Sequence, residues 1–171
     1  MAKAYLREAI RRIKTAEHAL EEGGYAYCIR QSQEAVELAL KGSLRLVGIE
    51  PPKWHDVGPI LLRERDRFPE WFKQKLEEMA SISRWLRRER EPSMYGDEET
   101  GLSPNELYTR NYVEKALKEA KCLHLMLKFR LLSILLWFTE KEKVKKLFLF
   151  KDLLRGFRWR NSLCDLSCVS P

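Results

Sequence analysis

Amide side chains are scarce in this 171-residue chain, which has three asparagines (Asn105, Asn111, Asn161) and three glutamines (Gln31, Gln33, Gln74). With abundant Lys, Arg and Glu, that is a composition reported for proteins of hot habitats, so a thermophilic source is expected. Eight glycines and seven prolines are too few for a fibrous, low-complexity or disordered chain. The four cysteines, Cys28, Cys122, Cys164 and Cys168, are too few and too scattered for a disulfide framework. Cys164 and Cys168 have no His or further Cys nearby in sequence to complete a structural zinc site. No metal and no cofactor are therefore expected. Long apolar runs are also missing. The most apolar stretch, residues 123–138, contains Lys128 and Arg130 and is short for a membrane span. The first twenty residues are peppered with charge and lack the apolar core of a signal peptide, so a cytoplasmic protein is expected.

What is present suits helices: 44% hydrophobic and 33% charged residues in a length that fits one domain plus a tail. The expected fold class is all-α. The net charge of +7 is unevenly distributed. Residues 1–120 carry 21 Lys/Arg and 21 Asp/Glu, whereas residues 121–171 carry 11 against four. A basic C-terminal appendage of this kind attracts phosphates or an acidic surface and says little about fold.

Leu6, Ala9, Ile10, Ile13, Ala16 and Leu20 give a helix over about residues 3–22, stopped by Gly23-Gly24. The next helix, 25–47, has a small-residue stripe (Cys28, Ser32, Ala35, Ala39, Gly42) beside a larger one (Ile29, Val36, Leu40, Val47). The small stripe admits a close neighbour, and the two-glycine link predicts an antiparallel hairpin. Pro51-Pro52 marks a loop, and Asp56 caps a short helix beginning near Gly58-Pro59. Pro69 opens a helix over about 70–90, with Phe72, Leu76, Met79, Ser83 and Leu86 on one face. From Pro92 to Pro104 the pattern is that of a loop. Ser103 and Glu106 have capping-box spacing, but Thr109 is the favoured start of the last long helix, which carries Val113, Ala116, Leu117, Ala120, Leu123 and Leu127. A kink is expected near 129–133, then a basic amphipathic stretch over 141–157.

Several of these features occur together in one known family. Gly24-Tyr25 precedes Arg30-Gln31-Ser32-Gln33-Glu34-Ala35-Val36-Glu37-Leu38-Ala39-Leu40-Lys41, followed by Trp54-His55-Asp56-Val57 and later by Tyr95-Gly96-Asp97-Glu98-Glu99, Pro104, Tyr108 and Thr109. This series resembles the HEPN domain, in particular the prokaryotic and archaeal type that accompanies a minimal nucleotidyltransferase. The resemblance covers about residues 4–128, leaving 129–171 as an apolar and then basic helical tail. It implies an antiparallel up-and-down bundle of four or five helices, usually a homodimer, often in a toxin–antitoxin pair with the nucleotidyltransferase. Many members are ribonucleases with Arg, four to six residues, then His in the late helices. Arg84, Arg87, Arg88, Arg90 and Arg110 have no histidine at that distance. Arg12 and His18 match the string, but in the first helix, where the family does not place it.

A metal-independent ribonuclease needs a proton-transfer group near neutrality and a cation for the phosphate, and only His18, His55 and His124 are available. His124 lies in an apolar helix and reads as a hydrogen-bonded core residue, and His55 as a residue fixing loop geometry. Arg84, Arg87, Arg88 and Arg90, followed by Tyr95 and Asp97, form the best nucleotide or RNA surface, since guanidinium pairs with phosphate and a ring can stack a base. The plainer alternative is a solvated helix face balanced by Glu89, Glu91 and the acidic loop. The sequence thus favours a HEPN-type binding module, a homodimer partnering a nucleotidyltransferase, with nucleotide or RNA held by Arg84, Arg87, Arg88, Tyr95, Asp97 and His55. A ribonuclease using Arg84 or Arg88 with Tyr95 or His55, and an RNA or membrane-surface adaptor acting through the tail, are the rivals.

Overall fold

A computed structural model of the chain describes residues 1–128. The expected kink, the basic stretch and the Cys164/Cys168 pair lie outside the described residues. Within them the chain is helical: α1 (Ala2–Glu21), α2 (Tyr25–Leu46), α3 (Gly58–Arg63), α4 (Glu70–Lys73), α5 (Leu76–Arg88), α6 (Pro92–Tyr95) and α7 (110–128). One antiparallel bridge, Asp97 to Leu102, is the extent of β pairing among the described residues. None of the described helices is long and apolar enough to cross a membrane.

The α1–α2 hairpin forms as the two periodic stripes require. Leu6, Ala9, Ile13, Ala16 and Ala19 of α1 are buried, as are Cys28, Ser32, Ala35, Ala39 and Gly42 of α2. Gly24 N–H donates to Ala19 O at 2.7 Å, while a Cβ at Gly42 would sit 3.2 Å from Tyr5 Cβ and 3.4 Å from Ala2 O. The end of each helix therefore meets the start of the other. The small stripe permits a spacing that one added methyl would crowd.

A third layer closes over this pair. α3 packs on α5, and α5 and α6 pack on α2. Phe68 and Phe72 stack at 4.2 Å, both fully buried, with Leu76, Met79 and Leu86 behind them. The last helix starts after Thr109, whose carbonyl accepts from Tyr112 and Val113 N–H, and buries Val113, Ala116, Leu117, Ala120, Leu123 and Leu127. Lys121 reaches Glu17 of α1 at 2.8 Å, and Tyr112 reaches Trp85 and Glu89 on the other side.

Three local expectations change. The single helix expected over 70–90 is divided between α4 and α5, where Lys75 N–H bonds Phe72 O in a tightened turn. The break falls at Gln74 and Lys75, between stripe residues, so the apolar period runs through it unaltered. The segment read as wholly loop contains one helical turn, α6, opened by Pro92 and closed by Gly96 at φ +80°. A Cβ at Gly96 would lie 2.5 Å from Leu102 O, so the bridge that follows requires glycine there. Finally, Ser103 N–H and Oγ both bond Glu106 Oε2, at 2.9 and 2.5 Å, yet this box closes a turn and not a helix. Between them, Asn105 reaches away: its Oδ1 accepts from Ala26 N–H at 3.2 Å and its Nδ2 donates to Gly23 O at 3.1 Å. Asn105 thereby caps α2 from 79 residues downstream, where Gly24 has no side chain to do so.

Candidate functional site

The residues singled out in the sequence are distributed over three surfaces. The first is the outer face of α5. Arg84 and Arg88 are exposed one turn apart and pair with no carboxylate among the described residues. Arg87 is tied to Glu91 at 3.4 Å. Tyr95 is 72% exposed at the end of α6. This face offers free cations to solvent, with an exposed ring on the next helix.

The second surface is a cleft of about 610 Å³ lined by Glu89, Asp97, Glu98, Tyr108, Thr109 and Tyr112 among others. Its polarity is wrong for phosphate. Glu89 accepts from Tyr112 Oη at 2.6 Å and Tyr108 Oη at 3.1 Å, and Trp85 Nε1 donates to Tyr112 Oη at 2.7 Å. Burial, and next the Glu89 carboxylate, push the Tyr108 phenol well above its ordinary range; burial and the bond to Glu89 also raise Tyr112. Asp97, expected to serve a nucleotide, has its Oδ1 engaged in its own turn by Glu99 N–H at 3.0 Å and Thr100 N–H at 3.4 Å. Its carboxyl is held below the usual range by the Thr100 side chain and by Glu99 N–H. Asp97 shapes the turn and adds negative charge to the cleft.

The third is a groove of about 180 Å³ where Arg12, Glu34, Glu37, Leu38, His55 and Arg90 converge from α1, α2, the loop before α3 and the turn after α5. His55, the remaining predicted residue, belongs here and not with Arg84, Arg87 or Arg88. Its Nδ1 lies 3.0 Å from Glu37 Oε2, and Glu37 also receives Lys41 Nζ at 2.8 Å and Gln33 Nε2 at 2.9 Å. Burial pushes the Glu37 carboxyl up, but the bonds from Lys41, Gln33 and His55 outweigh it and hold the group below its ordinary value. An ionised Glu37 makes Nδ1 the protonated nitrogen of His55 and leaves Nε2 for another partner. Arg90 Nη1 donates to Gln33 Oε1 at 3.1 Å, and Arg12 bonds Glu34 at 3.3 Å and Gln31 at 3.4 Å.

The other two histidines are placed differently. His18 pairs with Glu22 at 3.4 Å in solvent, while Arg12 turns inward to α2, so the Arg–five residues–His string they form makes no site. His124 is buried as expected, but its Nδ1 has no hydrogen-bond partner among the described residues. Burial, then the Lys128 charge, lower its pKa and keep it neutral. The helix-period reading missed Gln31 and Gln33 because they lie on polar positions, and it grouped Arg90 with the α5 arginines instead of in this groove. Their signal was the excess of buried amide in a chain with six amides in all.

The family model of the HEPN domain matches residues 2–129. The chain belongs to the HEPN family. Among solved structures this HEPN chain is similar to the crystal structure of TT1696 from Thermus thermophilus, with TM-score 0.60 and 24% identity, covering 75% of this chain and 97% of that one. That likeness extends to the fold. No functionally curated protein matches. The helical hairpin with further helices laid across it is the HEPN bundle, and the His55 that follows α2 occupies the groove above.

Proposed function

We propose that this HEPN protein is a non-catalytic binding module, a homodimer that partners a minimal nucleotidyltransferase and holds RNA backbone on the arginine face of α5. The observation that carries the reading is the pair Arg84 and Arg88, exposed on one helix face with no carboxylate partner among the described residues. Arginines of that kind engage phosphate oxygens through two N–H groups at once, and Tyr95 supplies a ring for stacking. His18 is solvated, His124 is buried and neutral, and His55 is bound to Glu37, so the proton-transfer partner of a family ribonuclease is missing from this face.

The test is RNA incubated with the full chain in EDTA. The expected result is retention without cleavage, with affinity falling as salt rises and each of Arg84→Ala and Arg88→Ala reducing the salt slope by about one. Cleavage abolished by Arg88→Ala would establish the ribonuclease reading instead. Retention that disappears only on removal of residues 139–171 would transfer the function to the tail. For the partnership, the expected result is a stoichiometric complex with a co-expressed minimal nucleotidyltransferase; a chain that elutes alone overturns that part.

A further inference from the structure

We propose that the cleft between the end of α5, α6 and the start of α7 binds a linear polyamine, held by Glu89, Asp97 and Glu98 against the rings of Tyr108 and Tyr112. None of these residues belongs to the arginine face of α5 on which RNA is placed.

Size comes first. At about 610 Å³ the cleft falls within the range of roughly 300–1,000 Å³ that encloses a whole small molecule, more than the tip of a side chain needs. The segment carrying Asp97 and Glu98 is anchored at both ends. Gly96, at φ +80°, leads into the bridge between Asp97 and Leu102, and Asn105 ties the following turn to Gly23 O and Ala26 N–H.

Charge gives the class of ligand. Three carboxylates line the cleft, and no lysine, arginine or histidine lines it among the described residues. The arginines nearest in sequence are engaged elsewhere: Arg87 by Glu91, Arg90 by Gln33 and Arg110 by Glu114. Glu89 is held by the neutral hydroxyls of Tyr112 and Tyr108, at 2.6 and 3.1 Å, and Asp97 by the N–H groups of Glu99 and Thr100. Glu98 makes no hydrogen bond or ion pair among the described residues. Neutral donors fix a carboxylate in place and leave its charge uncancelled, and a concave wall focuses the resulting field on a cation. A metal ion does not suit this spacing, because no three His, Cys, Asp or Glu among the described residues are grouped closely enough to hold one. Separated carboxylates match a cation whose charges are likewise separated along a chain.

The rings point to a cation independently of the carboxylates. Tyr108 and Tyr112 stack at 5.9 Å, and Trp85 meets Tyr112 edge-on at 5.5 Å. With both hydroxyls turned onto Glu89, what these phenols offer a ligand is ring surface. Lys115 already lies over the Trp85 ring, 5.1 Å from its centroid, so this aromatic cluster attracts an ammonium group. Pro92 and Leu107 add apolar wall for the methylene segments between ammonium groups.

Calorimetry on the full chain at fixed ionic strength, with spermidine, putrescine and magnesium chloride in turn, tests the assignment. Spermidine is expected to bind one to a chain, about threefold or more tighter than putrescine and about tenfold or more tighter than magnesium. Asp97→Asn keeps Oδ1 as an acceptor for its turn, and Glu98 has no partner to lose, so their double variant should melt normally and is the deciding one. It is expected to weaken spermidine about tenfold, the loss of two ion pairs near solvent. Glu89→Gln, checked by the same melt, should weaken it about tenfold or more by itself. Parental affinity in the normally melting double variant overturns the proposal. So does magnesium competing as well as spermidine, or no saturable heat with spermidine up to about 1 mM. If trilysine binds as tightly as spermidine and displaces it, the cleft takes basic side chains of a polypeptide and the small-molecule assignment falls. Arg84→Ala and Arg88→Ala should leave spermidine binding unchanged, so the RNA surface and the cleft stand or fall separately.

Discussion

Gly58 is the point at which α3 touches the backbone of α5, and a single methyl there tests how closely the layers are fitted. A Cβ added at Gly58 would lie 3.2 Å from the Cα, the Cβ and the carbonyl oxygen of Ala80. Two of these three atoms are backbone of a packed helix, which cannot rotate aside. Crowding of this kind costs about 1–3 kcal/mol. Replacing glycine by alanine inside a helix recovers at most about 1 kcal/mol, and less at a first turn. The net effect of Gly58→Ala is therefore a loss of about 1–2 kcal/mol, read as a fall in Tm of about 3–8 °C. A thermal melt by circular dichroism measures it. In an Ala80→Gly background the Cβ contact vanishes and the two backbone contacts remain, so the same substitution should cost less, by up to about 1 kcal/mol of coupling. Because Gly58 N–H is held by Asp56 Oδ1 at 3.1 Å, displacement of α3 also shifts the turn carrying His55. An unchanged or raised Tm for Gly58→Ala would refute the contact between α3 and α5.

Three further outcomes follow from individual groups. The carboxyl of Glu37 is depressed in the fold, so its stabilisation is present above the ordinary value of 4.5 and is lost as pH falls through the lower folded value. Chemical denaturation should find Glu37→Gln about 1–3 kcal/mol less stable than the parent at pH 7, with the gap narrowing below about pH 4.5. An equal gap at every pH would contradict this. The Cys28 thiol, pushed up to about 11 by burial, should resist iodoacetamide under conditions that label exposed Cys122, as peptide mass spectrometry can show; equal labelling would place Cys28 outside the core. His124 is the opposite titration. Burial lowers its pKa, so the unfolded chain takes up a proton that the folded one excludes, and stability falls as pH drops below about 6.5. His124→Leu should reduce that fall, measured by melts at pH 5 and pH 7.5.

Much of the bundle was legible because burial here follows the helical period. The stripe Phe72–Leu76–Met79–Ser83–Leu86 is buried throughout, and of the α1 stripe Leu6, Ala9, Ile13 and Ala16 are buried while Ile10 and Leu20 are partly buried against the core. Apolar side chains at spacings of three and four have one way to leave water together, and that fixes which faces meet. Boundaries were less legible. The break after Lys73 falls between stripe residues, and the helical turn at Pro92–Tyr95 is too short to show a period. The Ser103–Glu106 pair has the spacing of a helix start, but Asn105 is drawn off to cap α2, and no local rule reports a bond spanning 79 residues.

The arginine face of α5 was legible for the same reason as the core: Arg84 and Arg88 are one turn apart, and spacing alone puts them together. The groove was not, because each member occupies the polar side of its own helix or a loop, where the pattern carries no information about neighbours. What marks it is chemistry. In a chain with three glutamines, Gln31 and Gln33 are both buried, two residues apart. A group that donates and accepts at once lets Gln33 bond Arg90 and Glu37 together, while Gln31 accepts from Arg12. A carboxylate at position 33 would still accept from Arg90 but would lose the donor to Glu37 and set a second negative charge beside it. Gln33→Glu should therefore lower stability at pH 7 and push the Glu37 carboxyl up, as chemical denaturation over a pH series would show; unchanged stability would refute the Gln33–Glu37 bond.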